Sequence, residues 1–174
     1  MNKKYTLLKT DTNESWDGKI LFRIKAKVAF GTVLKGELGG YIEAEVNLGI
    51  SGDAWVYGDA RVSGNARVSG DARVSGDARV YGDAWVSGDA WVSGDAWVYG
   101  DAWVSGEADL LVITPIGSRK GTLTFTKSDM SAATGCFRGT IEAFAKAVVK
   151  THGDNQHARA YLKAIELAKI VFGL

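Results

Sequence analysis

Small, apolar and polar positions alternate along the centre of the chain with a period of six residues. Nine six-residue units, called hexads below, run without interruption from Gly52 to Ser105: GDAWVY, GDARVS, GNARVS, GDARVS, GDARVY, GDAWVS, GDAWVS, GDAWVY and GDAWVS. In every hexad Ala and Val stand two positions apart, so both side chains point to one face of an extended segment, and the Trp or Arg between them points to the other. The pattern predicts short strands with Ala and Val buried and Trp or Arg outside.

The Gly-Asp or Gly-Asn pair that opens each hexad predicts a corner, because Gly accepts any backbone region and Asx side chains satisfy nearby amides. Three corners of about 120° close a triangular coil of eighteen residues, in which residues i and i+18 stack at the strand spacing of about 4.8 Å. The nine hexads therefore predict three coils. A helix would need apolar positions at a period of about 3.6 residues, and a flat cross-β stack is the competing arrangement.

The same register extends beyond both ends of the nine hexads, which gives four to five predicted coils over residues 36–116. The side chains expected inside these outer coils are Ile42, Ala44, Leu48 and Ile50 on one side and Ala108, Leu110, Thr114 and Ile116 on the other.

The two ends of the chain predict other structures. Residues 1–35 predict an N-terminal β cap of two strands around the turn Trp16-Asp17-Gly18, which would cover the open edge of the solenoid. Residues 117–174 predict a small C-terminal domain with two helices. Its three expected strands are the segments DLLVITPIG, which starts before this range at Asp109, TLTFTK and SAATGCFRG. Thr140 is the expected N-cap of the first helix, Gly153 its end, and Asp154 the expected N-cap of the second.

The hexads resemble those of the left-handed β-helix proteins, in which an aliphatic residue is followed four positions later by a small one, as Val56 is by Ala60. The resemblance implies a mainly β fold, a left-handed parallel β-helix with a small C-terminal βββαα domain, and assembly as a homotrimer. The strings IGSR, LTF, GCFRGT and THGDN also make the layout similar to that of uncharacterised phage and prophage hexapeptide-repeat proteins.

Charge and cysteine content limit the range of functions that can be expected. Lys and Arg number 21 against 20 Asp and Glu, so the chain lacks the field that binds nucleic acid or an anionic membrane. Residues 52–110 carry a net charge of −6 and residues 111–174 a net charge of +5. The single cysteine, Cys136, permits no intrachain disulfide, and the N-terminal segment has no apolar leader. We expect a cytoplasmic protein, in the host cytoplasm if it is phage-encoded.

Catalysis is not expected. Many left-handed β-helix proteins are acyltransferases with a His base on a coil, yet no His precedes His152, which also excludes a three-His zinc site. Cys136 with His152, Asn155 or His157 superficially resembles a nucleophile pair, but Cys136 lies in an apolar strand pattern typical of a buried cysteine. The sequence predicts no catalytic residue, no metal and no cofactor; an acyltransferase with an atypical base is the alternative.

The outward positions of the later hexads concentrate aromatic side chains, which predicts a contact surface. The residues of this surface, called the Trp belt below, are Trp85, Trp91, Trp97, Tyr99 and Trp103. Contact with another copy or with the chain's own C-terminal part competes with contact to an outside protein partner.

Two glycine-bounded loops of the C-terminal domain combine cations with free backbone amides, and one leads directly into a helix N-terminus, which favours an anion. The predicted ligand-binding residues are Ser118, Arg119, Lys120, Arg138, Thr140 and His152. The sequence therefore predicts a non-catalytic, oligomeric binding protein for an anionic small molecule such as a nucleotide, sequestering a host signal or blocking a host defence protein. A purely structural assembly module is the other alternative.

Overall fold

The computed structural model describes residues 2–174. Their contacts divide the chain into two compact units, one ending at Glu107 and the other running from Ala108 to Leu174. The boundary thus lies nine residues before the solenoid end predicted at residue 116. Neither helix within residues 2–174 combines the length and apolar character that crossing a membrane requires.

The first unit begins with a long hairpin. Strands β1 (Tyr5–Glu14) and β2 (Ile20–Ala26) pair antiparallel, and β3 (Leu38–Ile42) pairs antiparallel with β2. The tight turn between β1 and β2 contains Gly18 at φ 82°, which a side chain would strain. Both predicted strands are present, and they belong to the same compact unit as the hexads.

The hexads form a parallel β-solenoid. Each contributes one two-residue strand: β4 Trp55–Val56, β5 Arg61–Val62, β6 Arg67–Val68, β7 Arg73–Val74, β8 Arg79–Val80, β9 Trp85–Val86, β10 Trp91–Val92, β11 Trp97–Val98 and β12 Trp103–Val104. Residues i and i+18 are partners, giving the sheets β4-β7-β10 and β6-β9-β12, while β5-β8-β11 continues the sheet of β1, β2 and β3. The predicted period and stacking are confirmed.

The Ala and Val side chains of the nine hexads are all fully buried, from Ala54 and Val56 to Ala102 and Val104. The corner glycines of the hexads have φ between 59° and 77°. A Cβ on Gly76 would lie 3.0 Å from the backbone of Gly94 in the next coil, so the corners are close-packed as well as left-handed. The predicted inside of the hexads is confirmed.

Outside the coil, the prediction is wrong for Trp55, which is fully buried. Its ring meets those of Tyr5 (centroids 6.1 Å apart) and Phe30 (5.3 Å), both edge-on. The N-terminal segment therefore covers this part of the solenoid wall, which a repeat pattern alone does not reveal.

The predicted outer coils are only partly present. Before the hexads, Ile42 and Leu48 are buried as expected, but Ala44 and Ile50 are exposed because a 3-10 turn at Glu45–Asn47 replaces the strand. After the hexads, Ala108 and Thr114 are exposed, and residues 110–116 form a strand of the second unit instead of a coil.

The second unit is a four-stranded antiparallel sheet with two helices on one face. The strands, in sheet order, are β13 Leu110–Ile116, β14 Gly121–Thr126, β15 Ser131–Thr134 and β16 Phe137–Thr140; the helices are α1 Ile141–His152 and α2 Gln156–Phe172. The predicted third strand is thus two strands, because the chain reverses at Gly135, whose φ is 53°.

The helices end largely as predicted. Thr140 accepts a hydrogen bond from the Ala143 amide (3.2 Å), and Gly153 follows α1 at φ 60°. Asn155 caps α2 by accepting from the amides of His157 and Ala158, so the prediction of Asp154 as the cap is wrong by one residue. The core of the unit lies between Leu123 and Phe125 of the sheet and the inner faces of the helices.

Candidate functional site

A cleft of about 460 Å³ opens in the second unit, along α1 from Phe144 to His152, the last residue of the helix. Two hairpin loops and both helices form its walls. The lining residues are Ser118, Arg119, Gly121, Thr134, Gly135, Cys136, Phe137, Phe144, Ala147, Val148, Thr151, His152 and Tyr161.

The floor of the cleft is aromatic. Phe144 of α1 lies between Phe137 of β16 (centroids 5.1 Å apart) and Tyr161 of α2 (5.4 Å, edge to face). Phe144 also contacts Phe125 of the sheet at 6.3 Å, so the floor is anchored in the hydrophobic core. Phe144 is itself buried, so the ring surface that the cleft offers to a flat ligand belongs mainly to the half-buried Phe137 and Tyr161.

The rim is polar and carries one full positive charge, the guanidinium of the exposed Arg119, beside Ser118 on the same loop. His152, the last residue of α1, stacks obliquely on Tyr161 with centroids 5.8 Å apart and meets the His157 ring at 6.0 Å. The cleft therefore joins apolar ring surface to groups that donate hydrogen bonds to an anion.

Cys136 is exposed at the turn between β15 and β16 and lines the cleft. The expectation of a buried cysteine is wrong, because this residue lies in the two-residue turn that divides the predicted third strand. Its thiol is accessible from the same space as Arg119 and His152.

Gly117 lies directly against the side chain of Tyr161. A Cβ on Gly117 would lie 1.9 Å from the Tyr161 hydroxyl, and its φ of 74° is left-handed. Only glycine lets the loop of residues 117–121 approach α2 this closely. The loop that carries Ser118 and Arg119 is therefore held against the helix that carries Tyr161.

The structure brings together three of the six predicted ligand-binding residues. Ser118, Arg119 and His152 line the cleft, whereas Lys120, Arg138 and Thr140 are not among its lining residues. Lys120 is exposed, and the Arg138 guanidinium donates to the Gly135 carbonyl (3.3 Å).

The N-terminus of α1, where the sequence places part of an anion site, is occupied by the chain's own groups. The Thr140 hydroxyl accepts from the Ala143 amide. Hydrogen bonds from the Glu142 backbone amide, and then from the Thr140 side chain, lower the pKa of the Glu142 carboxyl below 4.5. Because α1 has twelve residues, this end lies about 18 Å from His152.

The sequence pattern did not identify Phe137, Phe144 and Tyr161 as site residues. Phe144 and Tyr161 fall on the apolar stripes of their helices, which also predict burial in a core. Their spacing identifies the buried face of each helix and gives no sign that the two faces leave a gap.

The Trp belt is largely exposed. Trp85, Trp91 and Trp103 are 47%, 52% and 55% exposed, whereas Trp97 is half-buried and contacts the Tyr81 ring at 6.4 Å. The indole N–H of each exposed Trp donates to a serine sixteen residues earlier: Trp85 to Ser69 (3.0 Å), Trp91 to Ser75 (3.2 Å) and Trp103 to Ser87 (3.0 Å). These bonds fix the rings along the outer wall.

The outward side chains of successive coils stack on one another in two ways. Arg79 lies over the Trp97 ring at 4.8 Å in a cation-π contact, and Trp85 stacks on Trp103 at 6.1 Å and 23°. At the corners, Asp and Asn residues eighteen positions apart also contact each other. The Asn65 side-chain amide donates to the Asp83 carboxylate (2.9 Å), and the Asp53 backbone amide donates to the Asp71 carboxylate (3.0 Å). Over residues 2–174, His, Cys, Asp and Glu form no group of three or more that could hold a metal ion.

Comparison with known proteins identifies the repeat. A family described as the YdcK Beta solenoid repeat matches two overlapping segments, residues 60–76 and 72–88. These segments belong to the hexads, so the chain is similar to that family in its solenoid. The search of curated proteins found no match.

Proposed function

We propose that this protein binds a small organic anion with a planar ring, such as a nucleotide, in the cleft of its second unit. The observation that supports the proposal is the presence of Arg119 and Ser118 on the rim of a cleft whose floor is made by Phe137, Phe144 and Tyr161. No covalent step is required of the protein: it retains the ligand and withholds it from other proteins.

The chemistry of the cleft suits the two halves of a nucleotide. A base can lie against the aromatic floor, where ring contacts are worth about 0.5–1.5 kcal/mol beyond area burial. A phosphate at the rim can accept two parallel hydrogen bonds from Arg119, which a point charge such as a lysine does not provide in this geometry. His152 and Ser118 supply further donors.

The solenoid, in this proposal, is a rigid oligomer-forming scaffold. Its coil is left-handed and three copies associate, as the resemblance to left-handed β-helix proteins implies. The exposed rings of Trp85, Trp91 and Trp103 support a contact with another copy. The similarity in layout to phage and prophage proteins makes a host signal nucleotide the ligand class to examine.

Isothermal titration of the full chain with AMP, cyclic GMP, NAD and inorganic phosphate tests the proposal. We expect at least one ring-bearing phosphate to bind, phosphate alone to bind more weakly, and Arg119→Gln to weaken binding about tenfold or more. Lys120→Gln is the matched control, because it removes a neighbouring charge that does not line the cleft. Equal losses in both variants, or no binding to the parent, would contradict the proposal.

Cys136 provides a second readout, since it is the chain's single cysteine and lines the same cleft. A ligand in the cleft should slow alkylation of the thiol by iodoacetamide, with half-maximal protection at the dissociation constant measured by titration. Binding that leaves the alkylation rate unchanged would place the ligand elsewhere.

A further inference from the structure

A second cavity, of about 320 Å³, lies in the first unit beside the β1–β2 turn. One wall is the aromatic pair Trp16 and Tyr81, and the rest is polar, with side chains from the turn and from the solenoid corners at Asn65 and Asp83. The cavity shares no residue with the cleft of the second unit.

Trp16 is 59% exposed, and it lies in a turn held by several hydrogen bonds. The Ser15 hydroxyl donates to the Asp17 carboxylate and accepts from the Lys19 amide (2.9 Å), and the Gly18 amide donates to the Ser15 carbonyl (3.1 Å). These bonds hold the backbone of the turn that carries Trp16.

Aromatic contacts support the indole from behind. Trp16 lies against Tyr81 with centroids 5.4 Å apart, and Tyr81 stacks on Tyr99 of the next coil at 5.9 Å and 25°. Tyr81 is only 7% exposed, so the exposed aromatic surface of this group is mainly that of Trp16. The result is a fixed ring platform at the side of a polar cavity.

The charges of the polar wall are already paired within the protein. Lys19 lies 3.2 Å from Glu43 and 3.8 Å from Asp17, and Glu43 also accepts from the Gly64 amide (2.7 Å). Asp83 accepts from the Asn65 amide group (2.9 Å). An organic cation would have to compete with Lys19 for the carboxylates of Asp17 and Glu43. A neutral ligand finds both hydrogen-bond donors and acceptors beside the indole.

We propose that this cavity binds one pyranose unit of a neutral carbohydrate. A pyranose has an apolar C–H face, which suits the fixed indole of Trp16, and a hydroxyl edge that both donates and accepts hydrogen bonds. Asp17 and Asp83 can accept from such hydroxyls and Lys19 and Asn65 can donate to them. The site is independent of the nucleotide cleft.

Saturation-transfer NMR and titration with the methyl glycosides of glucose, galactose, mannose and N-acetylglucosamine test this inference on the full chain. We expect at least one glycoside to bind with its C–H face receiving saturation, and Trp16→Ala to weaken it about tenfold. Ile20→Ala is the control, because this apolar side chain is comparably exposed (62%) and lies outside both the cavity and the Trp belt. Arg119→Gln should leave glycoside binding unchanged, which separates this site from the cleft.

Asp83→Asn distinguishes a neutral from a cationic ligand, because it keeps the oxygen that accepts from Asn65 and removes the charge. A glycoside should lose less than about threefold in affinity, and added salt should change little. Binding of choline or putrescine in preference to the glycosides, an unchanged affinity in Trp16→Ala, or no glycoside binding to the parent would overturn the inference.

Discussion

The Lys4 side chain caps the edge of the solenoid at its first coil. Within the solenoid each coil donates its amides to carbonyls of the next, as Arg61 does to Ala78 (2.9 Å). The first coil therefore has carbonyls without such a donor. Lys4 donates to three of them, on Gly49 (3.3 Å), Gly52 (2.9 Å) and Ala54 (2.9 Å), and lies 4.4 Å from the Phe30 ring.

Replacing Lys4 with Met tests this capping. Burial lowers the pKa of the Lys4 ammonium below 10.5, and the carboxylates of Asp53 and Asp71 oppose that shift. We expect Lys4→Met to lower the free energy of unfolding by about 3 kcal/mol, because three carbonyls lose a charged donor. Urea unfolding followed by Trp fluorescence measures it, since all six Trp lie before Glu107. Lys3→Met, at an exposed neighbour, should change little.

Tyr5 gives the first unit a pH dependence of defined sign. Its hydroxyl donates to the Leu48 carbonyl (2.8 Å), and burial, followed by the Glu45 carboxylate, raises its pKa above 10.0. The folded chain therefore keeps a proton that the unfolded chain releases. Stability from this group is complete below pH 10 and is lost as the pH rises towards the folded pKa, by up to about 1.4 kcal/mol per pH unit. Tyr5→Phe should remove that slope; an unchanged slope between pH 10 and 11 would contradict the assignment.

At the scale of single elements, the two-residue strands of the solenoid have almost no stability of their own. A strand such as Arg73–Val74 exists because Val74 pairs with Val56 in one coil and Val92 in another, with its side chain fully buried. Burial of each Ala and Val is therefore shared by neighbouring coils, and a change in one coil disturbs the next.

Changing Val74 to Asp should be severe, because it places an unpaired carboxylate among aliphatic side chains. We expect the free energy of unfolding to fall by more than about 4 kcal/mol, which would unfold the first unit at 37 °C. Arg73→Asp, one position away and exposed, introduces the same carboxylate on the outer wall and should cost far less. Circular dichroism melts compare the two, and equal melting temperatures would refute the assigned inside and outside.

These elements also show what the sequence could and could not predict. The hexad interior followed from the spacing of Ala and Val alone, because the repeat imposes the same environment nine times. Asn47 lies outside that pattern: it was not among the residues expected inside, yet it is fully buried, and its amide donates to the carbonyls of Gly64 and Ala66 (both 2.9 Å). These hydrogen bonds join residues seventeen and nineteen positions apart, and local periodicity does not encode contacts at that separation.

The candidate cleft was predicted only in part for a similar reason. Arg119 and His152 were identified by residue type, and the structure places both on one rim. Arg138 was assigned to the same site because the helix start beside it suggested an anion, but Glu142 and Thr140 already satisfy that helix start. A short motif indicates which groups a segment could offer to a ligand. It does not show whether neighbouring residues of the chain already form hydrogen bonds with those groups.

At the scale of the whole molecule, the chain separates its charges and its apolar surface. Residues 52–110 are acidic and residues 111–174 are basic, and the exposed indoles of Trp85, Trp91 and Trp103 lie in the acidic part. Trp85 and Trp103 occupy one sheet of the solenoid and Trp91 another. Two different apolar faces favour a heterologous contact, in which one face of a copy meets the other face of the next.

When each copy is rotated by 120° relative to the one before it, a heterologous contact closes into a ring of three copies. This ring is the homotrimer proposed here. Replacing Trp85, Trp91 and Trp103 together by Ser should therefore convert a trimer into an 18.6 kDa monomer in native mass spectrometry, because interface affinity concentrates in buried aromatic side chains. The fold should survive, since none of the three rings lies in the Ala and Val interior. Trp16→Ser, which removes an equally exposed ring outside the hexads, should leave the trimer intact. A monomeric parent, or a triple variant of unchanged mass, would show that these rings serve another contact.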